Sequence, residues 1–520
     1  MLDGVARTID PARPAIICDD AIMNWAALDA AANSLARALT AAGLKPGAKI
    51  AHYMRNGPAY LVTLAAALKG RFAHVNVNFR YGGEELIYLL DNADAEACVY
   101  DAAFANTVAA IKTKLPHVRA WIEVGGESGD YEAAISGDGA PLNIDRSSDD
   151  LLLLYTGGTT GLPKGVMWTQ AALWGALAAG RATQFGAIPP MTREDMQAQI
   201  ARGEGLDPVY VAPPLMHGTA LFSAINVLSK GGAVVVTTHQ RFDPEAAIAA
   251  VDRYRCVGFI IVGDAFARPL LDTLRATRGR YDVTCLRTMT SSGMMWSPEV
   301  KTGLLDFMPD ALLVDSFGAS EGTGLGMSIT ARDMPAQEAK FLAPNTIVVR
   351  MDDHTPIAAG SDEIGIVAKA GDLPLGYYKD EARTARVYVT IEGVRRVLTG
   401  DHAQVLADGG IKLLGRGSHC INSGGEKIYP EEVEEALKTH ADVHDALVFG
   451  VADERFGQSV AAVVARVSDA HTDEAALIAH VRATLAHYKA PRRIVFTDTA
   501  PRAVNGKPDY ARAKEIFAAG

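Results

Sequence analysis

Leu151-Leu152-Leu153-Leu154-Tyr155-Thr156-Gly157-Gly158-Thr159-Thr160-Gly161-Leu162-Pro163-Lys164-Gly165 says more about this 520-residue chain than any other stretch. The apolar run reads as a strand, and it feeds a loop of four glycines, three threonines and one lysine. Glycine lets backbone N–H groups converge on one anion, threonine hydroxyls add donors, and Lys164 supplies a mobile positive charge. Thr156, Gly157, Gly158, Thr159, Thr160, Gly161 and Lys164 are therefore the candidate phosphate binders. The loop is not a Walker A motif. Pro163 precedes the lysine where that motif needs glycine, and Gly165 follows where Ser or Thr would hold magnesium. A polyphosphate site is expected; taken by itself, the loop also reads as a solvated Gly/Thr turn.

Around this stretch the chain alternates helix and strand patterns. Asn24 caps a helix carrying Trp25, Leu28, Ala32, Leu35 and Leu39, stopped by Gly43 and Pro46. A strand near Lys49–Met54, a helix near Ala59–Leu68, a strand Ala73–Val77, a helix Gly83–Asn92 and a strand Ala97–Asp101 follow. The pattern recurs at Ala233–Thr238, Gly258–Val262, Arg287–Thr290 and Leu312–Ser316, and several strands end in glycine- or serine-rich turns, where α/β sheets bind ligands. Residues 190–208 read as a polar surface insertion with a short helix. Short strands with Gly, Asp and Pro turns around Ile364–Arg416 suggest a small β subdomain. The last hundred or so residues form a compact module with a helix Pro430–Lys438, whose first-position proline and Glu431 and Glu432 suit a helix N-terminus. The expected class is α/β: a large N-terminal domain of mixed and parallel sheets with helices and a small β subdomain, then a small α+β C-terminal domain.

Composition narrows the function. The chain is too long for one core. It is 49% apolar and 21% charged, with no apolar run long enough to cross a bilayer. A net charge of −11 argues against a nucleic-acid partner. Cys18, Cys98, Cys256, Cys285 and Cys420 are scattered and show no CxxC pair, as expected of reduced thiols. The N-terminus lacks the apolar core of a signal peptide, so a cytoplasmic protein is expected.

Further motifs follow in fixed order: Pro213-Pro214-Leu215-Met216-His217-Gly218, Thr290-Ser291-Ser292-Gly293-Met294-Met295, Ser316-Phe317-Gly318-Ala319-Ser320-Glu321-Gly322, Leu398-Thr399-Gly400-Asp401, Gly415-Arg416, Asn422-Ser423-Gly424-Gly425-Glu426-Lys427-Ile428-Tyr429-Pro430, and Pro501-Arg502-Ala503-Val504-Asn505-Gly506-Lys507-Pro508-Asp509. This ordered set resembles the adenylate-forming superfamily of acyl-CoA synthetases, beetle luciferases and peptide-synthetase adenylation domains. The resemblance spans almost the whole chain, since Asn24–Leu28 and Asn76–Leu89 also look like that family's segments.

The resemblance implies ATP, Mg2+ and coenzyme A, and the residues suit that chemistry. Attack of a carboxylate on the α-phosphorus expels pyrophosphate, and negative charge must be screened throughout. The loop Thr156–Lys164 fits the leaving group. Glu321 is a hard oxygen ligand for magnesium, with Thr156 or Ser320 as neutral oxygens. Phe317 offers a flat apolar face to adenine, with plain core packing as the alternative. Asp401 accepts both ribose hydroxyls, or is an ordinary turn residue. Ser292, Gly293, Gly318 and Arg416 complete the implied nucleotide set. The Asn505-Gly506 turn puts Lys507 at a loop tip before a helix opening at Pro508. The matching lysine of the family reaches the substrate carboxylate and α-phosphate, which makes Lys507 and Glu321 the expected catalytic pair.

In the family a mobile small domain then rotates for the second half-reaction. The hinge falls at Gly415, which divides the chain into residues 1–414 and 415–520, and Ser423, Gly424 and Gly425 would line the thiol channel. Many relatives read Arg-x-Lys-Asp where this chain has Arg416-Gly417-Ser418-His419-Cys420, so the usual lysine is missing. This version looks like a subset of bacterial fatty-acyl and steroid-side-chain CoA synthetases. The implied acyl pocket includes His217, Thr219, Phe222, Gly263, Met294 and Met327, with His217 in substrate positioning rather than base catalysis. Met and Gly make such a cavity adaptable and apolar. No second carboxylate clamp stands out, and Asp264, the nearest candidate for holding an α-amino group, also reads as a helix cap. A fatty, steroid-like or aromatic monocarboxylate is expected, with a homodimer open as the assembly. Two other readings remain: an adenylation enzyme that loads a carrier-protein thiol or supports luciferase-type oxidation, and a catalytically silent nucleotide-binding protein.

Overall fold

The computed structural model describes residues 2–158, 161–185, 192–239, 241–294, 296–334, 340–342, 344–416, 419–423, 426–453, 457–468, 470–485, 487–503 and 506–520; for 157, 158, 161, 162, 179–185, 416, 422, 426, 427 and 457 it describes the backbone alone. The chain condenses into two units, Met1–Gln337 with Ala370–Val397, and Glu338–Lys369 with Leu398–Gly520.

Two sheets build the first unit. One has seven strands in the order Gly376–Tyr377, Gly161–Thr169, Leu151–Gly158, Ala73–Asn76, Lys49–Tyr53, Ala95–Asp101 and Ala120–Val124. The last five run parallel, and the first two pair antiparallel. The other has eight strands in the order Gly322–Thr330, Leu312–Ala319, Thr288–Ser292, Gly258–Ile261, Pro208–Val211, Ala233–Val236, Pro14–Cys18 and Ala21–Asn24. It is parallel except at its two edge pairs.

Both sheets are covered on two faces, which is why runs such as Leu151–Leu154 and Ala233–Val236 are apolar without alternating polar residues. Leu152 and Leu154 join a central cluster with Ile16, Val234, Trp168 and the helices Trp25–Ala41, Pro58–Gly70 and Gly218–Ser229. Leu153 points the other way, with the helix Gly83–Asn92 and the strand Ala95–Asp101. Ile17 and Val235 likewise face the helices Pro244–Tyr254, Asp264–Ala276 and Pro298–Leu305.

In the second unit Thr346–Val349 pairs antiparallel with Gly365–Ala370, and the end of the long strand Val394–Val405 pairs with Ile411–Arg416. A further sheet has the order Glu426–Ile428, Ile421–Ser423, Gly457–Arg466 and Val443–Asp453, with Arg493–Thr497 parallel to Gly457–Arg466. The helices Pro430–Lys438 and Glu474–Thr484 cover one face, and Tyr510–Ala519 covers the other.

The α/β expectation holds, and the helix Trp25–Ala41 is capped by the Asn24 side chain as the sequence suggests. Three details differ. The strand at Leu151 feeds an antiparallel hairpin rather than a loop: Tyr155 lies opposite Gly165 and Thr156 opposite Lys164, while Thr159 and Thr160 fall outside the described residues. The helix in residues 190–208 is Arg193–Ala201, opened by a capping box between Thr192 and Asp195, and it buries Met196 and Ile200 in the central cluster. The last helix starts at Tyr510 rather than Pro508, because Asp509 caps it by accepting from the Arg512 N–H.

Candidate active site

The hairpin of Leu151–Gly158 and Gly161–Thr169 is held at its base by one asparagine. Asn76 ends its strand 3% exposed. Its amide donates to the carbonyls of Tyr155 (2.8 Å) and Met216 (2.7 Å), and its oxygen accepts from the Tyr155 N–H at 2.6 Å. One buried side chain thus ties the hairpin to the Pro213–His217 segment. Asn56 holds the same segment from the other end, donating to the Pro213 carbonyl (3.1 Å) and accepting from the Leu215 N–H (2.7 Å). Across the hairpin the Tyr155 ring lies over Gly165, where an added β-carbon would come within 2.7 Å of it. Close approach, rather than a special backbone angle, makes this position glycine.

The Ser316–Gly322 motif forms the end of the strand Leu312–Ala319 and the bend into Gly322–Thr330. Behind it, Asp315 is buried and paired with Lys301, which is 1% exposed. Side chains from outside this sheet hold the bend. Trp168 donates its indole N–H to the Ser320 carbonyl at 3.0 Å. Tyr377 donates its hydroxyl to Glu321 Oε1 at 2.7 Å, and Tyr388 donates to the Glu321 carbonyl at 3.3 Å. Trp168 lies on the hairpin's second strand, and Tyr377 pairs with Val166 on that strand. The phosphate hairpin and the Glu321 bend are therefore fastened together by neutral donors. Thr156, Lys164, Ser320, Glu321, Phe317 and Gly318 are all partly exposed.

Ser292 pairs with Ser316, and Ser316 with Met327, so these three share one row across the sheet. Gly293 adjoins Thr219, whose hydroxyl would lie 3.9 Å from a β-carbon added there, and Gly218 lies similarly 4.0 Å from the Ser320 hydroxyl. His217 precedes the helix Gly218–Ser229 and is partly buried. Phe222 is 7% exposed and packs edge-on against Trp168, their ring centroids 5.8 Å apart. Gly263 is buried and donates its N–H to the Ser291 hydroxyl at 2.8 Å. Asp264 accepts from the Ser297 N–H at 3.0 Å and from the Ser297 hydroxyl, so it staples two segments of its own unit. Met294 is partly buried against the outer core, and Met295 lies outside the described residues.

The second unit carries the rest. Asp401, 8% exposed, lies on the strand Val394–Val405 opposite Arg416. Gly415 has φ +106, and an added β-carbon would come within 2.2 Å of the Glu431 carboxylate. A side chain here is disfavoured by the backbone conformation, and the Glu431 carboxylate would have to move aside to admit it. Ser423 pairs with Gly457, while Gly424 and Gly425 lie outside the described residues. Lys507 is exposed on a turn whose ends bridge at Arg502 and Pro508. In the 416–420 segment the His419 ring meets Tyr510 edge-on at 4.8 Å; nearer the Asp401 strand, His402 Nδ1 lies 2.8 Å from the Tyr429 hydroxyl.

Sequence reading found the motifs and missed their supports. Asn56, Asn76, Trp168 and Tyr377 touch the motifs from distant segments, and only a polar Asn closing an apolar strand offers any local signal.

The sequence matches the AMP-binding enzyme family over residues 6–377 and the AMP-binding enzyme C-terminal domain over residues 432–507. The chain belongs to the AMP-binding enzyme family. It is 38% identical to a 3-oxocholest-4-en-26-oate–CoA ligase from Rhodococcus rhodochrous, over 99% of this chain and 95% of that one. It is 39% identical to a medium/long-chain-fatty-acid–CoA/3-oxocholest-4-en-26-oate–CoA ligase from Mycolicibacterium smegmatis, over 97% of this chain and 94% of that one. ATP-bound MatB from Rhodopseudomonas palustris shares the fold with a TM-score of 0.81 at 24% identity, covering 99% of each chain. The protein is an enzyme, an AMP-forming acid–thiol ligase.

Proposed function

We propose that the enzyme converts an apolar monocarboxylic acid, fatty or steroid-side-chain, into its coenzyme A thioester. A carboxylate oxygen attacks the α-phosphorus of ATP and pyrophosphate leaves; the coenzyme A sulfur then attacks the acyl carbonyl and AMP leaves. The observation that carries the reading is the fastening of the phosphate hairpin to the Glu321 bend through Trp168 and Tyr377. It holds a triphosphate cradle and a carboxylate in one fixed relation, as electrostatic preorganisation requires. The Asp264 carboxylate is bonded to Ser297, which argues against recognition of an α-amino group and for a plain acid. The names of the relatives support the acid class and the thiol.

In this reading Thr156, Lys164 and the hairpin glycines bind the phosphates, Phe317 stacks on adenine, Asp401 holds the ribose, and His217, Thr219, Met294 and Met327 line the acyl pocket. Lys507 screens the carboxylate and the α-phosphate. Residues 415–520 move about Gly415, and Ser423 borders the thiol channel. Magnesium fits the residues present. Tyr377 occupies one oxygen of Glu321, and among the described residues no group of three or more His, Cys, Asp or Glu forms an all-protein cage. Glu321, with Thr156 as a neutral oxygen, would hold the ion together with nucleotide phosphates. Bound there, the ion would supply charge neutralisation for the leaving pyrophosphate. A cytoplasmic homodimer completes the proposal; among the described residues no helix is long and apolar enough to cross a membrane.

AMP release measured over a panel of fatty, steroid-side-chain, aromatic and amino acids, with and without coenzyme A, tests this. Coenzyme A-dependent release with fatty or steroid acids is expected. Release confined to amino acids, or requiring a carrier protein, would overturn it.

A further inference from the structure

The geometry points to Arg502 as a positioning residue for Lys507, acting through the Gly506 carbonyl and braced by Asp445. This rests on the reading of Lys507 given above.

Arg502 is 11% exposed and makes a two-pronged pair with Asp445, from Nε to Oδ2 at 2.5 Å and from Nη2 to Oδ1 at 2.7 Å. Its remaining prong, Nη1, donates to the Gly506 carbonyl at 3.2 Å, one residue before the lysine. The turn is closed by bonds from the Ala503 N–H to the Lys507 carbonyl and from the Gly506 N–H to the Ala503 carbonyl, both 2.8 Å. A fork fixed on a carboxylate has a fixed plane, so its third donor is aimed rather than free to swing.

Asp445 lies on the long central strand Val443–Asp453. Burial raises its pKa, but the Arg502 bonds outweigh that and hold it below the ordinary value, so the brace stays ionised. A second support lies just past the lysine. The Tyr510 hydroxyl donates to Glu434 Oε1 at 3.3 Å, beside the Val448 N–H at 2.9 Å. The lysine is thus flanked by two supports anchored on the unit's own core.

Stability alone does not call for such a pair. Desolvating two charges offsets most of their attraction, and an apolar pair of similar volume stabilises as well or better. What the pair supplies is direction. Lysine has four rotatable bonds, so the placement of its backbone helps decide how often the ammonium reaches its target.

Three variants test this: Arg502→Met, Asp445→Asn and the double variant, each with melting temperature, pyrophosphate–ATP exchange, thioester formation from presynthesised acyl-adenylate, and hydrogen exchange over residues 500–510. Arg502→Met alone leaves Asp445 buried without its partner and lowers the melting temperature. The double variant removes that charge and recovers melting. It is expected to keep an exchange deficit of about a hundredfold, the scale for misplacing a group by about an ångström. It should also keep reduced amide protection in 500–510, with thioester formation little changed. If exchange activity and protection return with melting, Arg502 is only structural and the inference is overturned. Lys507→Ala run alongside separates the two ideas: lost protection in the double variant, with full exchange in Lys507→Ala, would sink the lysine assignment and not the tether.

Discussion

In the first unit Glu321 and the phosphate hairpin are fixed by neutral donors, namely the Tyr377 hydroxyl, the Trp168 indole and the Asn76 amide, all seated on buried sheets. In the second, Lys507 sits on an exposed turn backed by the Arg502–Asp445 ion pair, with the Tyr510 hydroxyl bonded to the buried Glu434 just beyond it. Neutral bonds into a core suit the fixed cradle proposed for the phosphates. An ion pair behind an exposed turn suits the directing role proposed for Arg502. The contrast assigns different sensitivities to the two units, and each can be measured.

The largest expected effect belongs to the second unit. Lys507→Ala removes a preorganised donor, and adenylation should fall about a hundred- to a thousand-fold, roughly 3–4 kcal/mol. Thioester formation from presynthesised acyl-adenylate should survive if, as proposed, the lysine serves the adenylation step alone. Equal loss in both steps would break the comparison, since the lysine would then serve the whole site as the hairpin does.

The next effect is one of pH, and its sign differs between the units. His52 and His74 are fully buried in the first unit, with ring centroids 4.2 Å apart. Burial lowers His52 to about 4, against the opposing bonds to the backbone of Ile50, Thr63 and Val75, and burial together with His52 lowers His74 further. A depressed folded pKa means stability that is present above about 6.5 and lost as pH falls towards 4. Glu434 is the reverse. Burial pushes it up to about 7, with Arg502, the Val448 N–H and Lys438 opposing and Asp445 adding to the rise. Its stabilisation is complete below its unfolded value and is lost as pH rises through about 7. A tenfold change in proton affinity corresponds to about 1.4 kcal/mol, so either effect is on the order of 3 kcal/mol. Hydrogen exchange should show residues 49–76 loosening on acidification from pH 7 to 5, while residues 430–450 tighten. Glu434→Gln should remove the second trend and leave the first. Both units loosening together would mean that Glu434 is not the group responsible.

How much of this the sequence carried depends on range. The Ser316–Glu321 bend and the Lys507 turn are written in contiguous residues whose types suit their chemistry, so they were legible, as was the Gly/Thr composition of the hairpin but not its pairing. The α/β layering was legible too, because strands covered on both faces need the unbroken apolar runs seen at Leu151–Leu154 and Ala233–Val236. Asn76 and Tyr377 were not, since each acts on residues 79 and 56 positions away. Gly415 was read for its conformational freedom alone, whereas the Glu431 carboxylate also packs where a β-carbon would stand. The hairpin was read as a loop because glycine and threonine signal turns locally, while the pairing that turns them into strands comes from Gly161–Thr169 and its far neighbour Gly376–Tyr377.

The smallest effect tests the neutral half of the comparison. Tyr377→Phe keeps the ring, its edge-on contact with Tyr388 at 6.2 Å and the Arg383 guanidinium 5.7 Å from its centre, but loses the donor to Glu321. A hydrogen bond to a charged group contributes about 1.5–3 kcal/mol, and only part of that concerns the carboxylate's aim. Adenylation should fall about tenfold, and half-maximal activity should need more magnesium, because the carboxylate that would hold the ion is free to rotate. Melting should hardly change, since the apolar packing stays. A lowered melting temperature with an unaltered magnesium requirement would make Tyr377 a packing residue, and the first unit would lose its claim to hold the carboxylate by a neutral bond.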